Sequence, residues 1–305
     1  MPNDWLAKRV ISYAHEGGAL EGPASTMFAM SKAVAAGVVG LELDVHRSAD
    51  GVLVVMHDES VDRTSSAEGR VANLNWDELA QLDNAYWFVP ESGEVTSVGL
   101  AWDRYLYRGR APKERAFGVV RFVEVLEAFP EAIINVDIKE ALPNADPYEQ
   151  QVIDEVRAMG ATDRVMVASF RDSSLFAVRK YDADIATSAG PGEVSELYFA
   201  LVNSMEAAIA MAKAAPYVAF QIPRFYGEIE LPTQHFIDAA HQAGKAVHVW
   251  TVNDPKEMEL LLDRGVDGII SDRPSVLARV LRADGRGYRP GDVYTPERPV
   301  PRLLP

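Results

Sequence analysis

The segment "AVHVWTVNDPKEMELLLDRGVDGIISDRPSVLARVL", residues 246–281, decides the fold. Its apolar run AVHVWTV leads into PKEMELLLDRG, which carries a helical pattern. A second run, GIIS, leads into RPSVLARVL. Strands alternating with helices in this way belong in a parallel sheet. The pattern extends back along the chain. RVISYA (9–14) precedes TMFAMSKAVAAG, GLELDV (40–45) follows, and AIINVDIK (132–139) precedes a helix from about Pro147 to Met159. RVMVASF (164–170) precedes SSLFAVRKY, ADIATS (183–188) comes next, and PYVAFQI (216–222) precedes a helix beginning near Thr233. Eight strands in a 305-residue chain favour an α/β (β/α)8 TIM barrel over an open doubly wound sheet. A doubly wound dinucleotide fold would show G-x-G-x-x-G after its first strand, and HEGGAL does not match.

The composition is 48% hydrophobic and 25% charged, that of a globular enzyme. Net charge is -15 and no stretch gathers Lys and Arg into a basic face, so nucleic acid and anionic membrane are poor partners. An anionic substrate is repelled at long range unless a divalent cation reverses the sign locally. With no cysteine, disulfides, thiolate chemistry and zinc–thiolate sites are excluded. MPNDWLAKRV lacks a signal-peptide core and no run approaches the length of a transmembrane segment, so a cytoplasmic location is expected.

Two segments interrupt the alternation. VHRSADGVLVVMHDES (45–60) reads as a β-hairpin turning at Ala49-Asp50-Gly51 beside strand two. Residues 84–118 are long, aromatic and without clean periodicity, an insertion after that hairpin. The chain is expected to be one barrel domain over 1–305, with a Pro-rich tail, 284–305, running extended.

Barrel chemistry sits where strands end, so polar residues there carry the functional information. Glu42 and Asp44 share one face of strand two. Two inward carboxylates resist joint ionisation and call for a positive charge, most simply a hard divalent cation on oxygen ligands. Asp137 adds a third acid on the neighbouring strand and Lys139 a fixed cation; the alternative is a structural salt-bridge cluster. His15 ends strand one and His57 ends the hairpin's return arm, a pair able to divide acid and base work near neutral pH. His46 is expected at the pocket rim, and Trp250, near the end of strand seven, as a pocket wall; His248 on the same face is read as packing, His235 and His241 as helix residues.

These residues resemble those of the glycerophosphodiester phosphodiesterase family, a branch of the phosphatidylinositol-specific phospholipase C-like barrels. AHEGG and GPASTMFAM are similar to the family's His-Arg-Gly strand end and Pro-Glu-Asn-Thr loop. GLELDVHRSADGVLVVMHDESVDRTSSAEGRV carries the acid pair, the hairpin, His-Asp and Asp-Arg-Thr; NVDIK resembles the Glu-x-Lys strand, and ASF, VHVWTVND and GVDGIISDRP the later ones. The resemblance implies that Glu42, Asp44 and Asp137 bind Ca2+ or Mg2+, that His15 and His57 act on a phosphodiester, and that Lys139 lies near the phosphate. It also places 84–118 over the active-site mouth.

Three departures stand out. Asp137 replaces a glutamate, Glu16 the phosphate-binding arginine, and Ala24 the acid of the Pro-Glu-Asn-Thr loop. If positions 16 and 24 are neighbours, one carboxylate has moved from one to the other. Arg171 and Arg224 are candidate substitutes for the arginine, or Glu16 contacts a cationic or hydroxylated headgroup. The aromatics Tyr86, Trp87, Phe88, Trp102, Tyr105 and Tyr107 could form an apolar wall for a lysophospholipid tail or simply pack the insertion onto the barrel. The expected function is metal-dependent hydrolysis of a glycerophosphodiester or lysophospholipid to a phosphomonoester and an alcohol. A catalytically silent ligand-binding barrel and a sphingomyelinase-D-like or phosphoinositide-cleaving relative are the alternatives.

Overall fold

Why the inward acids converge follows from the register of the barrel. The computed structural model describes residues 4–139, 147–285 and 287–288. Its barrel strands are β1 (Ile11–Ala14), β2 (Gly40–Arg47), β3 (Ile133–Ile138) and β4 (Val165–Ala168). They continue as β5 (Ala186–Thr187), β6 (Ala219–Pro223), β7 (Ala246–Trp250) and β8 (Gly268–Ser271). Neighbours run in the order β5-β4-β3-β2-β1-β8-β7-β6, all parallel. A parallel bridge between Ser188 and Ala219 joins the two ends. Along β2 and β3, Leu41, Leu43, Ile134 and Val136 join the apolar layer beneath the outer helices. The alternate residues face the barrel axis, and there Asp44 stands directly opposite Asp137.

Local signals fix the helices. Asp254 caps the helix Pro255–Arg264, accepting from Lys256 and Glu257 N–H, and Gly265 closes it at φ 90. Thr26 and Thr233 cap the helices Met27–Ala36 and Gln234–Gln242 in the same manner. The predicted hairpin forms: Leu53–Val55 pairs antiparallel with the end of β2, Gly51 turns at φ 88, and Ser48 Oγ donates to Asp50 at 2.6 Å. Among the elements that escape the sequence reading are the strand Val120–Arg121 beside that hairpin, a second hairpin, Phe225–Tyr226 with Ile229–Glu230, beyond β6, and the helices Phe122–Ala128, Pro191–Asn203 and Met205–Ala214. The tail 284–305 lies outside the described residues apart from Asp284, Gly285, Gly287 and Tyr288. No described helix is long and apolar enough to cross a membrane.

Residues 84–118 pack as an aromatic cluster against the rest of the barrel. The Arg108 guanidinium lies 3.4 Å from the Tyr105 ring centroid and 4.1 Å from that of Tyr86, while Tyr107 and Phe117 stack at 5.2 Å. Phe28 of the helix Met27–Ala36 joins them, and Asn84 is tied to Thr64 at 2.5 Å and to the Ala24 carbonyl at 3.1 Å.

His248 fills the barrel centre, fully buried, with its ring 5.4 Å from that of Tyr13. Only glycine fits opposite, because a Cβ at Gly268 would sit 2.7 Å from the imidazole. Burial pushes the His248 pKa from 6.5 down to about 4, against a weaker opposing pull from the Asp267 charge. Above pH 6.5 the histidine is neutral whether folded or unfolded. Between 6.5 and about 4 only the unfolded chain binds the proton, so stability falls as pH falls through that window. The full window is worth about 3 kcal/mol. His248→Gln is therefore expected to flatten the loss of urea midpoint between pH 7 and 4.5; equal losses in both proteins would contradict this reading.

Candidate active site

At the C-terminal end of the barrel a cavity of about 640 Å3 opens. One half is polar, lined by His15, Glu42, Asp44, His57, Asp137 and Lys139; Trp250 lines it too, as the sequence suggests. The first strand delivers His15 into a tight turn. Glu16 (φ 48), Gly17 (φ 79) and Gly18 (φ 99) all adopt left-handed backbone, and a Cβ on Gly18 would come within 2.6 Å of Pro274. This explains the glycine pair.

Lys139 sits between the two opposed acids, 2.7 Å from Asp44 Oδ1 and 2.9 Å from Asp137 Oδ2. Those contacts hold its ammonium charged, its pKa raised even though burial works the other way. Each acid has a second oxygen, Asp44 Oδ2 and Asp137 Oδ1, that is buried without a hydrogen-bond partner. Glu42 completes the group, and its pKa rises to about 8, first through burial and then through the Asp44 charge. Three crowded carboxylates, two with orphaned oxygens, against one lysine leave unmet negative charge. An oxygen-only donor set of this kind fits a hard divalent cation, which would take those oxygens.

Each site histidine is held by a carboxylate at Nδ1. His15 is 2.6 Å from Asp272 Oδ1, and Asp272 is itself fixed by Asn253 Nδ2 at 2.7 Å. His57 is 2.7 Å from Asp58 Oδ1, and Arg63 Nε donates to the other Asp58 oxygen at 2.7 Å. Nε2 of each ring is left for chemistry; that of His15 lies 3.9 Å from Glu42. The two rings stand 6.2 Å apart. For His15, burial opposes protonation, but the Glu42 charge and the Asp272 bond outweigh it and raise the pKa to about 10. The His57 pKa also rises, chiefly through its hydrogen bond to Asp58.

Glu16 does not line the cavity. It is 4% exposed, and its Oε2 accepts from Arg63 at 3.0 Å. The cation answering Glu16 is therefore Arg63, from the Asp-Arg-Thr motif. Arg171 and Arg224 do not line the cavity either: Arg171 precedes the helix Asp172–Tyr181, and Arg224 is ion-paired with Glu257 and Glu230. His46 is not at a rim; it is buried, 3.4 Å from the His57 carbonyl. His241 bonds Asp267 at 2.7 Å, and His235 is exposed on its helix. Asp272, Asn253 and Arg63 had no assigned role from sequence. An acid directly after β8, a strand end like those of His15 and His57, was the available signal for Asp272.

The apolar half of the cavity is not built from the 84–118 aromatics, none of which lines it. Those rings are consumed by Arg108 and by one another. Instead Phe170, Val194, Tyr198, Phe199, Ile229 and Trp250 form the wall, supplied by the β4 end, the helix Pro191–Asn203, the second hairpin and the β7 end.

A TIM barrel with carboxylates, a lysine and two carboxylate-backed histidines at its mouth defines a hydrolase-type site. Residues 15–276 match the model of the glycerophosphoryl diester phosphodiesterase family, and the chain belongs to that family. It is 28% identical over 280 residues to a glycerophosphodiester phosphodiesterase of Caldanaerobacter subterraneus subsp. tengcongensis, covering 91% of this chain and all of that one. Against a glycerophosphodiester phosphodiesterase of Bacillus altitudinis it is 27% identical, covering 88% of this chain and 96% of the other. The fold is shared with an Oleispira antarctica phosphodiesterase solved in complex with its product sn-glycerol-3-phosphate. That match has a TM-score of 0.65 and 19% identity, over 90% of this chain and 97% of the other.

Proposed function

We propose that this phosphoric diester hydrolase cleaves a glycerophosphodiester to a phosphomonoester and an alcohol, with His15 and His57 as its acid/base pair. The observation that carries this reading is the pair of carboxylate-backed histidines facing the acid–lysine cluster across one cavity. Asp272 and Asp58 hold the Nδ1 protons, so that Nε2 of one ring takes the proton of the attacking oxygen and Nε2 of the other supplies one to the leaving oxygen. Lys139 holds a positive charge beside the phosphoryl oxygens. Ca2+ or Mg2+ held by Glu42, Asp44 and Asp137 would offset the charge that develops on those oxygens. Glycerol phosphate as the phosphomonoester is supported by the product found in the Oleispira relative.

The apolar wall favours a lysophospholipid among such substrates. A glycerophosphocholine would leave that half of the cavity wet, whereas an acyl chain would cover it. Phe199 and Tyr226 line the cavity and are 66% and 75% exposed, so polar replacements there cost the fold little. The double variant Phe199→Ser/Tyr226→Ser should lose about tenfold or more in kcat/KM for lysophosphatidylcholine, from the side-chain burial forgone. Its activity on glycerophosphocholine should stay within about twofold. Choline release measured on both substrates tests this: equal losses would remove the acyl-chain reading, and no turnover of either substrate, with Mg2+ or Ca2+, would remove the hydrolase reading.

A further inference from the structure

We propose that His15, Glu16 and His57 form a second cation site, suited to a divalent transition metal such as Zn2+, Mn2+ or Co2+, whose occupation arrests catalysis. Ligand atoms of these three side chains lie within 4.8 Å of one another. Both imidazoles have Nδ1 fixed by a carboxylate, Asp272 at 2.6 Å and Asp58 at 2.7 Å, and each carboxylate is itself tethered, by Asn253 and Arg63. That carboxylate–histidine arrangement is the outer shell metal sites use to fix the tautomer and aim Nε2.

The third donor is Glu16, at the position where the family resemblance leads one to expect an arginine. An arginine at position 16 would bring a cation beside the two histidines and repel any ion. Glu16 puts an anion there instead, held in left-handed backbone with one oxygen on Arg63, which leaves its other oxygen for an ion. The donor sets of the two sites differ in kind. Glu42, Asp44 and Asp137 offer oxygen alone and suit Mg2+ or Ca2+, while two imidazoles and a carboxylate suit transition metals. Occupation displaces any proton from Nε2 of each ring to solvent and commits both nitrogens to the metal, so neither ring can move a proton. Only this inhibitory consequence rests on the acid/base roles proposed above; the binding does not.

The test uses the intact protein, stripped of metal by chelator, saturated with Mg2+ and titrated with Co2+. Visible absorption bands of histidine-bound Co2+ and calorimetry give the readouts. One Co2+ per chain is expected, with affinity reduced about tenfold or more in Glu16→Gln and also in His57→Ala, and retained in Asp137→Asn, whose carboxylate pairs with Lys139. Thermal melts establish that each variant is folded. Absence of the bands in the Mg2+-saturated protein overturns the site. So does unchanged affinity in both Glu16→Gln and His57→Ala, or loss of binding in Asp137→Asn, which would place the ion on the oxygen set. Zn2+ at saturating concentration should lower phosphodiester turnover more than tenfold; full binding with turnover intact overturns the arrest.

Discussion

His57→Ala should lower kcat by about 10^2- to 10^4-fold, the range contributed by a positioned acid or base. The loss should fall on kcat more than on KM, because the ring acts on a proton rather than gripping the phosphate. His57 is half-buried and tethered through Asp58 to Arg63, so the substitution removes no large core contact. His15→Ala should lose a comparable factor, and the double variant should lose far less than the product of the two, since the rings act in one proton-transfer cycle. Steady-state kinetics on glycerophosphocholine decide the matter. A His57→Ala enzyme within threefold of the parent would end the acid/base assignment.

Asp44→Asn is the second large effect expected. Asp44 lends one oxygen to Lys139 and keeps the other buried and unpartnered. The amide is nearly isosteric but removes the negative charge. Cation binding should weaken by about 100-fold or more, as loss of a direct ligand exceeds the 10- to 100-fold typical of outer-shell changes. Turnover should fall by roughly 10^3-fold, matching several kcal/mol of electrostatic stabilisation. Mg2+ and Ca2+ titrations followed by calorimetry, alongside kcat, give both quantities. Unchanged cation affinity, or activity in the parent that survives chelation, would move the cation off these carboxylates.

The readability of the site divides by range. Glu42, Asp44, Asp137 and Lys139 converge as the strand-end rule and the two-residue strand period require. The detail within that group was not readable: Lys139 occupies the gap between Asp44 and Asp137, a consequence of the β2–β3 register. The question raised by Glu16 had a local form and a distant answer. Its partner is Arg63, 47 residues on, whereas neither Arg171 nor Arg224 lines the cavity and Arg224 is ion-paired with Glu257 and Glu230. The aromatics of 84–118 admit two readings from sequence, an apolar wall or packing of the insertion onto the barrel, and they pack. Those rings already have Arg108 to stack on, and the helix Pro191–Asn203 and the hairpin of residues 225–230 supply much of the wall instead.

By itself the sequence determined the alternation of strands and helices, the hairpin at Asp50-Gly51, and the strand ends on which the acids and histidines fall. These depend on periods and turn signals spanning a few residues, which no distant contact needs to supply. Only the tertiary structure decided that Asp272 backs His15 from 257 residues away, that Arg63 answers Glu16, and which wall of the cavity is apolar. Those pairings exist because closing the barrel sets β1 beside β8 and folds the loops after β2 against the turn after β1. That closure is a property of the whole ring, and no single strand carries it.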